Sequence, residues 1–583
     1  MNSDNYEFSK SSHPQSVSQY TSYTDKQWDY VPDINNSVYS NNSGLSLVTW
    51  DLTSIYNSSG LSDASDLFLA IPLVMCATVS AAGVTIAPGT MASYALCSLK
   101  SNYQNLIHQI EITSNGKQVQ EMQPFVNVYE NFKLLSSMSA TDLQGIGPSL
   151  NINGTLDNEK SVLYNTVAAA ALAATNTTGV GLCNNRVFGA NAPGAQTVAQ
   201  NANQYNNAIY NRASRIVDTS TNSTAGIYGT GKILTTTQLN AEYKPYFGLQ
   251  GNVLVWYDVG IIPLKYICDV IDKMGLVKKL DIGLRVYFNT GSIQVNVVDP
   301  NLATTGYGSI ASTTFSNTCP LTINYLSGTQ ASGGLPATTT LITAGLFIAK
   351  APTTFGATTP ITIAANAHSM PSCRCYYSQV KLDPQKMLTY IEENRSKNVV
   401  YESLLFNQYT GLSVNGTFSQ LIQSGIKNPV AVVIIPMIST AAVNAGAGGT
   451  QTYNQYQSPY DTFPATYSPL SLTNISVKLG GVSVMNSTLY YTYESFLEQV
   501  SLAETLTSTD IGIQVGLINQ SWWEQNRVYY VDLSRGREAD KATYRNLTVS
   551  FNNNSNVAID TMIFTIYLDK FTIDVETGIV VRG

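Results

Sequence analysis

Residues Asn474–Phe496 read NISVKLGGVSVMNSTLYYTYESF, and most of that design occurs once before, at Gln109–Phe132, as QIEITSNGKQVQEMQPFVNVYENF. Both segments open with alternating apolar positions (Ile110 and Ile112; Ile475 and Val477). They cross a glycine turn (Gly116; Gly481), reach a second apolar position (Val119; Val484) and close on Tyr-Glu-x-Phe. Alternation around a glycine turn predicts a β-hairpin, and the closing motif predicts the start of a helix.

A second pair of segments keeps the same spacing. LFLAIPLVM from Leu67 and AVVIIPMIS from Ala431 are continuous apolar runs interrupted by Ile-Pro. Ile71 and Ile435 lie 364 positions apart (435 less 71), as do Tyr129 and Tyr493 (493 less 129), while the glycines are separated by 365 (481 less 116). Two landmarks on one offset, with a one-residue slip between them, indicate a duplicated domain.

At 583 residues and 44% hydrophobic content the chain has material for two cores. Charged residues make up 12%, about half the usual share of roughly 25%, and Tyr outnumbers Phe by 36 to 17. Such a surface suits protein contact, whose cores are depleted in charge and rich in aromatics; a coding bias toward Asn and Tyr gives the same composition. A net charge of −7, with no basic run of five, argues against a body that grips phosphate backbones. No stretch reaches the roughly eighteen apolar residues of a membrane-spanning helix, and MNSDNYEFSK does not read as a signal peptide. The seven cysteines are odd in number and dispersed, as expected of a reducing compartment, and sequons such as Asn474-Ile-Ser476 and Asn546-Leu-Thr548 follow from composition.

In chain order, residues 1–43 contain almost no aliphatic residues and predict a flexible arm, with Tyr20, Tyr23, Trp28 and Tyr30 available to anchor it on a partner. LSLVTWDL from Leu45 alternates, and Asp66–Met75 reads as a buried strand whose Pro72 marks an edge or a bulge. A short helix is expected over Phe125–Leu135. A second helix opens at Pro263, with Leu264, Ile267, Cys268, Ile271 and Met274 on one face and Gly275 as its stop, and a third opens at Asp383-Pro384. Strands are expected at Val253–Leu264, Leu280–Asn289, Cys373–Leu382, Arg527–Gly536 and Tyr544–Asn553, with a closing pair around MIFTIYLDKFTIDV. Two long insertions rich in Ala, Thr, Asn and Gly, at about 141–248 and 299–370, interrupt the first copy and are absent from the second. The expected fold is all-β: two tandem jelly rolls, that is Greek-key sandwiches, with short helices and loop insertions in the first.

Residue chemistry yields little. His13, His108 and His368 have no partner at catalytic or metal spacing. Cys373-x-Cys375 lacks the usual C-x2-C spacing and a second pair, and its side chains are expected on opposite faces of a strand. Glu392, Glu393, Glu498 and Glu504 fall on helical stretches as solvated residues, although paired carboxylates of a glycoside hydrolase leave no spacing signature. AGAGG (Ala445–Gly449) and GTGK (Gly229–Lys232) do not complete a phosphate loop, and Trp522 and Trp523 fit core anchors better than a sugar platform. No catalytic, cofactor or metal residues are assigned, and no enzyme activity is expected.

The tandem arrangement, the GIKNPVAVVIIPMI strand from Gly425, WYDVGIIPLKYICDVIDKMG from Trp256 and VYYVDLSRG from Val528 resemble the major capsid proteins of virophages and Polinton-like viruses, over about residues 45–583. That resemblance implies a structural protein of the virion, trimers that tile as hexon-like pseudo-hexameric capsomers, and an icosahedral shell around double-stranded DNA. It further implies a separate penton protein, minor capsid proteins, a packaging ATPase and a maturation protease as companions, genome DNA or an inner membrane against the internal face, and assembly inside the host cell. No small-molecule substrate and no removable C-terminal extension are expected. The expected domains are the arm 1–43, a first roll over 44–405 and a second over 406–583, with the insertions standing on the outer face or between subunits. The readings from other classes are a carbohydrate-binding or carbohydrate-cleaving protein of two sandwiches, which calls for a signal peptide and convergent carboxylates, and a viral appendage protein, which calls for shorter repeats.

Overall fold

The computed structural model describes residues 23–582, apart from 81–94, 153–246, 299–308, 326–339, 352–360, 363–371, 440–469, 502–514, 534–542 and breaks of at most four residues. Eight strands build the first roll: β1 (Tyr23–Pro32), β2 (Leu45–Asp51), β3 (Leu61–Ser80), β4 (Ile107–Ser114), β5 (Lys117–Glu121), β6 (Val253–Pro263), β7 (Ile282–Asn289) and β8 (Arg374–Leu382). One sheet takes the order β1-β8-β3-β6 and the facing sheet β2-β7-β4-β5, all antiparallel. Apart from the β4–β5 hairpin, successive strands of the sequence go to opposite sheets, which is the jelly-roll path.

The second roll repeats it strand for strand. β9 (Lys397–Leu412), β10 (Thr417–Ile426), β11 (Pro429–Ile438), β12 (Leu472–Leu479), β13 (Val482–Asn486), β14 (Tyr529–Asp532), β15 (Arg545–Asn553) and β16 (Ile559–Ile573) form sheets β9-β16-β11-β14 and β10-β15-β12-β13. The register keeps the spacing seen in the sequence. Leu69 of β3 faces Cys375 of β8, and Val433 of β11, 364 positions later (433 less 69), faces Phe564 of β16. Ile112 faces Leu284 in the first roll as Val477 faces Val549 in the second. Alternation of buried and exposed side chains is clearest in β2, where Val48 and Trp50 are fully buried between partly exposed neighbours, whereas β14 is buried throughout.

Pro72 marks neither an edge nor a bulge. β3 is central, and along one side β8 pairs with it up to Ala70 while strand Thr340–Ile348 takes over from Leu73. The proline, having no N–H to donate, falls in the gap between these two partners. Pro436 sits similarly beyond Ile434, where pairing with β14 ends.

Four further expectations differ from the structure. Residues 23–32 are not an arm but the edge strand β1, paired along its length with β8; their apolar face is aromatic rather than aliphatic, and this hid the strand. Strand Thr340–Ile348, assigned to the second insertion, belongs to the large sheet, and Ala344, Leu346 and Ile348 are buried in the core. The first insertion lies largely outside the described residues. The division expected between 405 and 406 falls within β9, which pairs with β16 from Lys397 onward. The closing strand pair is one long strand, β16, followed by a short strand at Val580–Arg582.

Of the helices, α1 (Val126–Ser137) and α3 (Pro384–Glu393) match expectation, the latter capped by Asp383, whose carboxylate accepts from Gln385 N at 3.0 Å. The helix expected from Pro263 divides into a short 3-10 turn and α2 (Asp269–Met274), because Cys268 between them is extended; Gly275, at φ +62°, ends it as expected. Helix α4 (Tyr493–Ser501) occupies the position in the second roll that α1 occupies in the first.

Candidate functional site

The two rolls share one continuous hydrophobic core, to which α1 contributes Val126, Val128, Tyr129, Phe132 and Leu135. This helix is buried on almost every side, from Val126 to Ser136, whereas its counterpart α4 buries only Phe496, Gln499 and Val500. Phe132 of α1 lies 6.4 Å from both Phe496 and Tyr530, and Tyr129 lies 5.9 Å from Phe564. Backbone bonds also cross the seam, Leu517 N to Leu135 O at 2.9 Å and Lys278 N to Val575 O at 3.0 Å. Tyr401 of β9 donates to Val119 O at 2.8 Å, and Lys397 donates to Met274 O, the last carbonyl of α2, at 2.8 Å. A cation at a helix C-terminus is favoured by the helix dipole, and here it ties the start of the second roll to the first.

A polar cluster forms a pocket in this seam. Lys133 of α1 lies 3.3 Å from Glu402 Oε2 of β9, and the Glu402 backbone N–H donates to Asp269 Oδ2 of α2 at 2.8 Å. Glu130, one helical turn from Lys133, is 1% exposed, and its Oε2 has no hydrogen-bond partner. Burial, opposed by Lys133 and reinforced by Glu402 and Asp269, pushes Glu130 up to about 8. Burial acts against the charge on Lys133, but the surrounding carboxyl groups outweigh it and hold the ammonium above its ordinary range. The neighbouring Cys268 thiol is fully buried and is raised by the same desolvation. These groups escaped sequence reading because they lie on three segments, α1, α2 and β9, far apart in the chain.

The outer face of the first roll carries a second arrangement. Rings from three strands form a ladder in the order Trp28, Phe68, Tyr376, Tyr30, with centroids 5.8, 4.8 and 5.5 Å apart. Lys26 lies over Trp28 at 5.3 Å and Arg374 over Tyr30 at 4.5 Å, and Lys26 also pairs with Asp66 at 2.7 Å. Trp28 stays 51% exposed and Tyr30 43%, on the strand at the sheet edge. Exposed Trp and Tyr beside a half-buried Arg are residue types that dominate protein contacts.

The residues singled out in the sequence do not converge. His108 is buried edge-on against Phe125 at 4.7 Å, where desolvation lowers it to about 4. His13, His368, Glu504, Trp522 and both glycine stretches lie outside the described residues. Cys375 on β8 and Cys373, just before that strand begins, are two apart and both buried on the core side, contrary to expectation; burial raises both thiols, and Cys373 N donates to the Tyr39 hydroxyl at 3.1 Å. Glu392, Glu393 and Glu498 are exposed on helix surfaces. Trp523 is 1% exposed, donates to Val528 O at 2.9 Å and packs among Tyr491, Tyr493, Phe496 and Tyr529, so it is a core anchor. Among the described residues no group of three His, Cys, Asp or Glu side chains is placed to hold a metal ion.

No family model and no curated protein matches the chain. Among solved structures it is similar to a chain of the Sputnik virophage determined by cryo-EM, at 11% identity over 96% of this chain and 89% of that one, with a TM-score of 0.44. It is also similar to the mavirus major capsid protein, at 10% identity over 97% and 90% with a TM-score of 0.41, and to the Faustovirus major capsid protein, at 9% over 96% and 91% with a TM-score of 0.43.

Proposed function

We propose that this chain is a structural, non-enzymatic shell protein: a viral major capsid protein that trimerises into pseudo-hexameric capsomers and tiles an icosahedral double-stranded DNA virus shell. The observation that carries the reading is the strand-for-strand duplication, two complete jelly rolls in one register fused by a shared core. A trimer of such chains presents six similar walls, which a hexagonal lattice requires, while each chain needs only one threefold contact set. The fused core gives the rigidity of a tile, and the charge-poor, tyrosine-rich composition gives broad contact surfaces.

The same reading divides the chain at α3, with the first roll running from β1 to β8 and the second from β9. It places the chain in the virion with penton and minor capsid proteins as neighbours and with genome DNA or a membrane inside; these companions rest on the resemblance seen in the sequence. Size determination tests the proposal. A stable trimer of 63.1 kDa chains, seen as hexagonal particles by electron microscopy, is the expected result. A monomer that cleaves glycosidic bonds overturns it in favour of the two-sandwich carbohydrate enzyme.

A further inference from the structure

We infer that the seam between the two rolls is a proton latch, closed while Glu130 carries a proton and loosened when that proton leaves. The geometry sets up the conflict. Glu130, Asp269 and Glu402 stand on α1, α2 and β9, and one ammonium, Lys133, serves all three carboxyl groups. Two of those elements belong to the first roll and one to the second, so any repulsion between Glu130 and Glu402 acts across the seam. Lys133 already lies within 3.3 Å of Glu402, and no hydrogen-bond donor reaches Glu130 Oε2. A second buried negative charge would therefore have no counterion of its own, and a buried charge without a partner is strongly disfavoured.

Other titratable groups face the pocket: Lys133 and Tyr129 on α1, Cys268 beside α2 with Asp269 and Asp272 on it, Glu402 on β9 and Tyr530 on β14. Desolvation raises Cys268, Tyr129 and Tyr530 above their ordinary values, and it also raises Asp272. Glu130 is the group among them pushed to about 8. Lys133 keeps 21% of its side chain exposed, which gives protons a route between the pocket and water.

The sign follows from linkage. A carboxyl raised from 4.5 to about 8 in the folded state holds its proton where the unfolded chain has lost it, so stability falls as pH rises through that window and levels off above it. Between pH 6 and 9 this one group makes the folding constant about a hundredfold smaller. Lys397, pushed by burial down to about 8, acts in the opposite sense above that pH, so the comparison must be made between proteins that share it.

The test uses the full chain, wild type and Glu130→Gln, unfolded in urea at pH 6 and pH 9. Gln reproduces the shape of a protonated Glu and cannot ionise. The expected result is that wild type loses about a hundredfold more of its folding constant between the two pH values than Glu130→Gln. Equal losses overturn the latch. Labelling of Cys268 by iodoacetamide at pH 9, read by mass spectrometry, localises the effect, with wild type expected about tenfold faster than Glu130→Gln because the seam opens; equal rates overturn the assignment to the seam. A third protein, Glu402→Gln, removes the repulsion across the seam and frees Lys133 for Glu130. Its loss between pH 6 and 9 is expected to be smaller than that of wild type, and an unchanged loss contradicts the mechanism.

Discussion

Phe132 and Phe496, which hold the same place in the two copies of the repeat, lie 6.4 Å apart with both side chains fully buried. Each ends a Tyr-Glu-x-Phe motif, which lies inside α1 but opens α4, and the helices have different fates: α1 is enclosed and α4 is half at the surface. The duplicated motif is therefore more than a relic of gene duplication, because the copies meet and close the joint between rolls.

Truncating either ring should open a cavity at that joint. Phe132→Ala and Phe496→Ala are each expected to cost about 3–5 kcal/mol, as for other buried aromatic residues. Because the rings touch, the double variant should fall short of the summed single effects by about 0.5 kcal/mol or more. Urea unfolding of the four proteins reads this directly, and strict additivity would show that the rings are energetically independent.

How much of this was legible in the sequence depends on what set each feature. The duplication was legible because strand alternation and turn glycines are local, and Ile71/Ile435 and Tyr129/Tyr493 kept their spacing. β1 was missed because its apolar side chains, Trp28 and Tyr30, lie on the outer face against Phe68 and Tyr376, partners far away in sequence. The seam pocket was missed for the same reason: nothing near Glu130 in sequence announces Glu402 or Asp269. The reading of Cys373 and Cys375 failed on geometry, since alternate residues of a strand point the same way.

The N-terminal segment now separates into two parts with different expected effects. Deleting residues 1–21 leaves β1 in place and serves as the reference. Deleting 1–33 removes every partner of β8 on that edge together with the Trp28 and Tyr30 contacts, and should lower the melting temperature by several degrees while exposing a strand edge that promotes aggregation. Equal melting temperatures for the two deletions would show that β1 contributes nothing to the fold.

Acid should weaken the first roll through His108. Desolvation lowers this residue from 6.5 to about 4, so the unfolded chain takes up a proton that the folded chain refuses. Its contribution is complete above pH 6.5 and is lost as pH falls toward 4. In His108→Gln, which cannot gain that charge, melting temperature plotted against pH should fall less steeply between 6.5 and 4 than in wild type. Parallel curves would assign the acid sensitivity to other groups.

Gly578 offers the sharpest local test of how the rolls are fused. It sits at φ +70°, a conformation disfavoured for residues with a Cβ, and a Cβ built there would run into the carbonyl of Lys279, which belongs to the first roll. Two penalties, backbone strain and a clash with main chain that cannot move aside cheaply, act together at a point where Lys278 N bonds to Val575 O. Gly578→Ala should therefore cost about 2 kcal/mol or more. Gly481 provides the control: at φ +85° it carries the strain, but nothing lies within 4 Å of its Cβ position. Gly481→Ala should cost about 1 kcal/mol, from the backbone alone. If both substitutions cost the same in urea unfolding, the contact between the turn at Gly578 and Lys279 contributes nothing to holding the two rolls together.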